Sequence, residues 1–172
     1  YQISQFDLPI AINGAVDIEI PGTAVPRNSA RIGITRAHLE EDAAKLVHAG
    51  DGKASFVDFN RSSTPLIEIV TEPDFRTPFE AKTFLQELQR IARYTGISDA
   101  DMEKGHLRCD ANISLLRVNE DGTPIDRALN PKIEVKNINS FKSVERALEY
   151  EIMRQGKLFE MGTPPSVQST RG

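Results

Sequence analysis

Apolar and polar positions along the chain switch between a period of two and a period near 3.6, and the switches divide it into strand-like and helix-like stretches. Asp7–Ile12 and Ala15–Ile20 flank Asn13-Gly14, a dipeptide suited to positive φ at both turn positions, so the pattern predicts a hairpin. Residues 21–30 (PGTAVPRNSA) hold two prolines and a glycine among small polar residues and read as a surface loop. Arg31–Ala37 alternates as a strand, and His38-Leu39-Glu40-Glu41-Asp42 reads as a short acidic turn. Ala54–Phe59 and Pro65–Thr71 read as two short strands joined by Asn60-Arg61-Ser62-Ser63.

Thr77-Pro78-Phe79-Glu80 carries a hydroxyl at the N-cap, proline at N1 and a carboxylate three residues on, which predicts a helix start. Phe84, Leu85, Leu88, Ile91 and Ala92 continue it as one apolar stripe, and Gly96 suits the C-terminal cap. A second helix is predicted from Asn139 or Ser140, with Phe141, Val144, Leu148 and Ile152 buried and Gly162 just past its end. Between the helices, His106–Val118 and Lys132–Ile138 read as strands separated by the loop 119–123. Runs of strands with two interposed helices predict an α+β fold, a mixed or antiparallel sheet with helices on one side.

The strands carry the candidate chemistry. In Leu107–Leu115 the odd positions (Leu107, Cys109, Ala111, Ile113, Leu115) are apolar, while Arg108, Asp110, Asn112 and Ser114 are polar and share the other face. Ile133 and Val135 likewise oppose Glu134 and Lys136. Such a face is in the ordinary case solvated surface. Carboxylates beside Arg and Lys also suit phosphoryl transfer, because carboxylates hold Mg²⁺ and cations neutralise the transferred group. Glu68 stands alone in the apolar run Leu66–Val70, where an unpartnered carboxylate is costly. His38, His48 and His106 show no mutual metal-ligand spacing and read as surface or packing residues. Cys109 reads as an inert core thiol.

Composition narrows the classes. The 172 residues are 39% hydrophobic and 27% charged, as in globular domains, and no apolar run approaches a membrane span. A single cysteine excludes an internal disulfide and fits a reducing, cytoplasmic setting. A net charge of −4 and 6% aromatics argue against a free-standing nucleic-acid binder, though not against a protein that handles the end of an RNA. No P-loop, Gly-rich dinucleotide turn or Ser-His-Asp arrangement is present.

The stretches YQISQFDLPI, RIGITRAHLEEDAAK, DFNRSSTPLIEIVTEPD, GHLRCDANISL and EVKNINSF, followed by ALEYEIMRQ, closely resemble the B-subunit family of the aspartyl/glutamyl-tRNA amidotransferases, in that family's order and spacing. The resemblance spans essentially all of residues 1–172, as a single fragment of the catalytic (cradle) domain. It implies a fold like that of glutamine synthetase and the guanidino kinases. It further implies ATP- and Mg²⁺-dependent phosphorylation of the side-chain carboxylate of Glu-tRNA(Gln) or Asp-tRNA(Asn), then attack by glutamine-derived ammonia. An amidase A subunit and a small C subunit are the implied partners in a heterotrimer.

Carried over by position, the resemblance implies Glu41 and Glu134 as metal ligands and places Glu68 and Asp110 near the same site. Arg61, Arg108 and Lys136, beside these carboxylates in the pattern, are candidates for phosphate or carboxylate contacts, and Asn112 joins them on its strand face. A kinase or carboxylate–amine ligase acting on a small molecule is the alternative. The family's Gly-Leu-Glu-x-His segment and C-terminal helical and tail domains have no counterpart among these 172 residues. The chain alone is therefore expected to be inactive, and detectable transamidation by it would refute that expectation.

Overall fold

A computed structural model describes residues 3–21, 27–50, 54–121, 123–126 and 128–172. The chain is α+β and divides into two compact units, one of Tyr1–Asp17 with Ser29–Asp74 and the other of Ile18–Asn28 with Phe75–Gly172. No helix among the described residues is long and apolar enough to cross a membrane.

The first unit is built on a sheet in the order β1-β2-β5, from β1 (Ala11–Glu19), β2 (Ser29–Glu41) and β5 (Pro65–Thr71), with a separate antiparallel ribbon of β3 (Lys45–His48) and β4 (Ser55–Asp58). Two expectations fail here. Asn13 does adopt the left-handed conformation, at φ 55, but β1 runs through it rather than turning. Nor is there an acidic turn: β2 continues through His38 to Glu41, because β5 pairs with it antiparallel from Ile34↔Thr71 to Glu41↔Pro65. Strand β3 was not legible, and residues 22–26 of the predicted loop 21–30 lie outside the described residues, while its last two residues open β2. Gly33 has a positional reason. An added Cβ would sit 2.8 Å from Glu72 Cγ, since residues 72–74 fold over it and Asp74 Oδ2 accepts its N–H at 2.8 Å.

The second unit packs α1 (Pro78–Thr95) and α2 (Phe141–Glu160) on one side of a mixed sheet of β6 (Cys109–Ile113), β7 (Ile133–Ile138) and β8 (Ser169–Arg171). β6 and β7 are antiparallel, while β8, absent from the sequence reading, runs parallel to β7. The apolar row of β6 faces the helices as its alternation requires: Ala111 and Ile113 join Leu85, Val144 and Leu148 in the core, and Leu107, Cys109 and Leu115 pack against it. The strand itself is shorter than the predicted 106–118. Gly122 of the predicted loop lies outside the described residues; around it, Asn119 N–H donates to Thr123 O at 2.8 Å.

Both helix starts form as the caps dictate. Thr77 Oγ1 accepts from Glu80 N, Ser140 does the same for Ser143 N, and Gly96 closes α1 at φ 73. The α2 stripe extends beyond its apolar members. Val144 and Leu148 are followed at helical spacing by Glu151 and Gln155, both buried, and Gln155 Nε2 donates to Glu151 at 2.8 Å.

Glu80 itself is fully buried and has a second role. Its carboxylate accepts two hydrogen bonds from Arg27, both at 2.8 Å, and one from Arg76 N at 2.7 Å. Burial pushes its pKa up from 4.5, but these bonds and the Arg27 charge outweigh burial and hold it below that value. A depressed carboxylate contributes stability that is complete above its unfolded pKa and lost as pH falls through the folded one. Glu80→Gln is therefore expected to cost about 1.5–3 kcal/mol near neutrality and less below about pH 4. Urea unfolding across pH 3–7 checks this, and a cost independent of pH would contradict it.

Candidate functional site

On the second unit, the face of the sheet turned away from the helices carries the even-numbered side chains. Asn112 lies directly across from Glu134, and Glu134 across from Thr170 of β8. The register shifts between Cys109 and Ala111, where Asn137 takes φ 61. That extra residue lets Ile138 return to the core side with Val135, while Lys136 stays on the polar face. Asparagine is among the side chains that tolerate this conformation best.

The bulge leaves Lys136 between two carboxylates. Its Nζ is 3.3 Å from Asp110 Oδ2 and 3.4 Å from Glu134 Oε2, and Thr170 Oγ1 donates to Glu134 Oε2 at 3.1 Å. The hydrogen bond and charge of Asp110, then the charge of Glu134, raise the Lys136 pKa above 10.5, so the ammonium form persists across the physiological range. Arg108 is exposed immediately before β6. Of the predicted residues, Asp110, Asn112, Glu134 and Lys136 thus share one face, joined by Thr170. No alternation marks a three-residue strand, so Thr170 carried no signal.

In the first unit the predicted residues separate. Glu68 is paired across the sheet with His38, and alternation puts both, with Glu40, on one face. Glu41 falls on the other face, among Leu39, Pro65 and Ile67. Arg61 Nη2 is 2.8 Å from Asp42 Oδ2, which fastens the 60–63 turn to the end of β2. Glu68 does not sit within a buried strand, since its side chain is 48% exposed and the neighbouring Ile67 and Ile69 are exposed as well.

Sequence reasoning missed His38. It is fully buried, its Nε2 lies 3.1 Å from Glu68 Oε2 and 3.8 Å from Glu40 Oε2, and neither ring nitrogen has a hydrogen-bond partner. An orphaned buried polar atom costs roughly 1–3 kcal/mol, so this arrangement calls for a reason. The available signal was His-x-Glu at strand spacing facing the lone Glu68, which the acidic-turn reading concealed.

The model of the family described as GatB/GatE catalytic domain matches residues 1–172. The B subunit of the aspartyl/glutamyl-tRNA(Asn/Gln) amidotransferase of Synechococcus sp. (strain JA-3-3Ab) is 52% identical over 176 residues, covering 99% of this chain and 34% of the relative. The proteins of the same name from Halalkalibacterium halodurans and Bacillus pumilus are 54% and 55% identical, each covering 94% of this chain and 32% of the relative. The chain spans about a third of the length of these relatives.

Two titrations test the geometry of the polar face. Asp110→Asn should lower the Lys136 pKa, followed by NMR of the ε-methylene, and an unchanged value would show that the pair does not form in solution. Burial, with the Asp110 charge adding to it, pushes the Cys109 thiol up to about 11. Its alkylation at pH 8 should thus be on the order of a hundredfold slower than that of an exposed thiol. A rate near the exposed value would contradict its place in the core.

Proposed function

The chain belongs to the GatB/GatE catalytic-domain family, and from that premise we propose that it forms the carboxylate-activating part of a tRNA-dependent amidotransferase. The substrate is the side-chain carboxylate of Glu or Asp esterified to tRNA(Gln) or tRNA(Asn). ATP transfers its γ-phosphoryl group to one carboxylate oxygen, releasing ADP. Ammonia then attacks the acyl phosphate and phosphate leaves, so an amide replaces the acid. An amidase subunit and a small third subunit complete the assembly that supplies ammonia from glutamine.

The observation that carries this reading is the Asp110–Lys136–Glu134 cluster on an open strand face, in a chain of this family. Catalysis of phosphoryl transfer is chiefly positioning and charge neutralisation, and this face offers both signs of charge on a rigid sheet. Lys136, held cationic by its neighbours, can neutralise the phosphoryl oxygens as charge moves onto the leaving group. Arg108 and Asn112 flank it as further donors to phosphate or carboxylate.

The donor set fits Mg²⁺. Glu134 and Asp110 present hard oxygens, and their side chains are 27% and 54% exposed, leaving room for the waters that ion keeps. Glu134 would hold the metal here, and Glu41, in the first unit, is a further candidate metal ligand. When bound, Mg²⁺ supplies charge stabilisation to the phosphate oxygens. Thr170 fixes the Glu134 carboxylate by its hydrogen bond, and Glu68 is assigned to the same chemistry by its place in the family's blocks.

The test is Glu134→Gln in the full-length subunit assembled with its partners. Glu-tRNA amidation should fall by at least about a hundredfold while glutamine hydrolysis persists. Near-wild-type rates for both would make the polar face a solvated surface only.

A further inference from the structure

Helix α2 carries a charged group on its buried side, where the apolar stripe of Val144 and Leu148 would continue. Glu151 is 2% exposed, and its carboxylate accepts from Arg154 Nε at 2.8 Å, from Arg154 Nη2 at 2.6 Å and from Gln155 Nε2 at 2.8 Å. Arg171 of β8 approaches the same carboxylate, its Nε 3.9 Å from Oε2. Burial works against the charge, yet these partners, the Arg171 charge among them, hold the Glu151 pKa below 4.5, so the group is ionised at neutral pH.

Pairing with Arg154 three residues on does not require burial, since such pairs form on the exposed face of a helix. Taking a carboxylate out of water is costly, so a buried Glu151 needs partners on the sheet side. Gln155 Nε2 reaches Ile113 O of β6 at 3.4 Å, and Arg171 comes from β8. An anchor matters most at β8. Among the described residues this strand pairs with β7 alone, its three residues are exposed, and Ser169-Thr170-Arg171 has no apolar residue to fix its register. Successive strand residues point to opposite faces. With Thr170 opposite Glu134 and Arg171 opposite Val135, Thr170 meets Glu134 on the polar face while Arg171 turns toward α2. A slip of one residue would exchange the two and leave Glu134 without its donor.

We propose that Glu151 and Arg171 are positioning residues: their ion pair fixes β8 in the one register that brings Thr170 to Glu134. Neither side chain is on the polar face, and both act through Thr170. This role rests on Glu134 belonging to the activation site, and it adds to that site a support reaching from the buried side of α2. Arg171 is half-exposed and 3.9 Å from its partner, and a bridge of that kind between two exposed groups is worth little. Here one member is already fixed. Glu151 is buried and held by three hydrogen bonds, so its charge is in place and only the Arg171 side chain has to be ordered.

The experiment combines hydrogen exchange with amidation kinetics on the full-length subunit assembled with its partners. In Arg171→Gln, exchange in the peptide 165–172 should quicken at least about threefold while 145–158 is unchanged, because the ladder to β7 opens locally. Glu151→Gln should quicken the same peptide, and Arg171→Lys, which keeps the charge, should restore slow exchange. Arg171 is half-exposed on an edge strand, so its variants keep the test decisive if Glu151→Gln fails to fold. Amidation should fall about tenfold in Arg171→Gln and in Thr170→Val, and no further in the double variant, as for two residues acting through one contact. Unchanged exchange at 165–172 in folded Arg171→Gln, or losses that multiply in the double variant, would overturn the proposal. Glu134→Gln in the same assay separates this role from the site it serves. Amidation lost there but kept in Arg171→Gln overturns the positioning role alone, whereas amidation kept in both overturns the assignment of the polar face and the positioning role with it.

Discussion

The polar face of the second unit depends on one requirement, that β6 and β7 each present an unbroken apolar row to α1 and α2 while keeping their charged row outside. Alternation alone satisfies this for Ala111, Ile113, Ile133 and Val135, but it would turn Ile138 outward. The bulge at Asn137 corrects the phase by one residue. Ile138 reaches the core, and Lys136 is left opposite Asp110 and beside Glu134. Core packing and the charge cluster are therefore two consequences of the same strand geometry. A rigid sheet holds the three charges without loops, which is what a site for phosphoryl chemistry needs.

Much of this was legible because the signals are local. The Thr77-Pro78-x-Glu80 and Ser140 caps, the helical stripes and the odd–even split of 107–115 each involve residues within a few positions of one another. Caps and periodicity act at that range. Asp110, Asn112, Glu134 and Lys136 could be assigned to polar faces from alternation, although nothing in the sequence joined the two strands. The burial of Glu151 and Gln155 was hidden because polar residues on an apolar stripe are read as its edge. Their mutual hydrogen bond and the 2.6 Å Arg154–Glu151 pair satisfy the Glu151 carboxylate, whereas Gln155 Oε1 is buried without a hydrogen-bond partner.

What escaped the sequence is long-range. His38 and Glu68 meet through a β2–β5 register linking positions thirty apart, and an acidic, His-containing segment has no local feature to mark it as strand. The same register sends Glu41 and Glu68 to opposite faces, though both lie in blocks that resemble one family. Asn13-Gly14 shows the converse error. A strong turn dipeptide was accommodated inside β1, with the left-handed residue present and the reversal absent, because the strand continues alongside β2.

The central claim is that the β6–β7 polar face transfers a phosphoryl group to a carboxylate before ammonia arrives. Positional isotope exchange tests it most directly. ATP labelled with ¹⁸O at the β–γ bridge is incubated with the assembled enzyme and Glu-tRNA, without glutamine or ammonia. Reversible acyl-phosphate formation should scramble the label in the wild type, and scrambling should vanish in Asp110→Asn. Scrambling retained in Asp110→Asn, or absent from a wild type that still amidates when ammonia is added, would contradict the account.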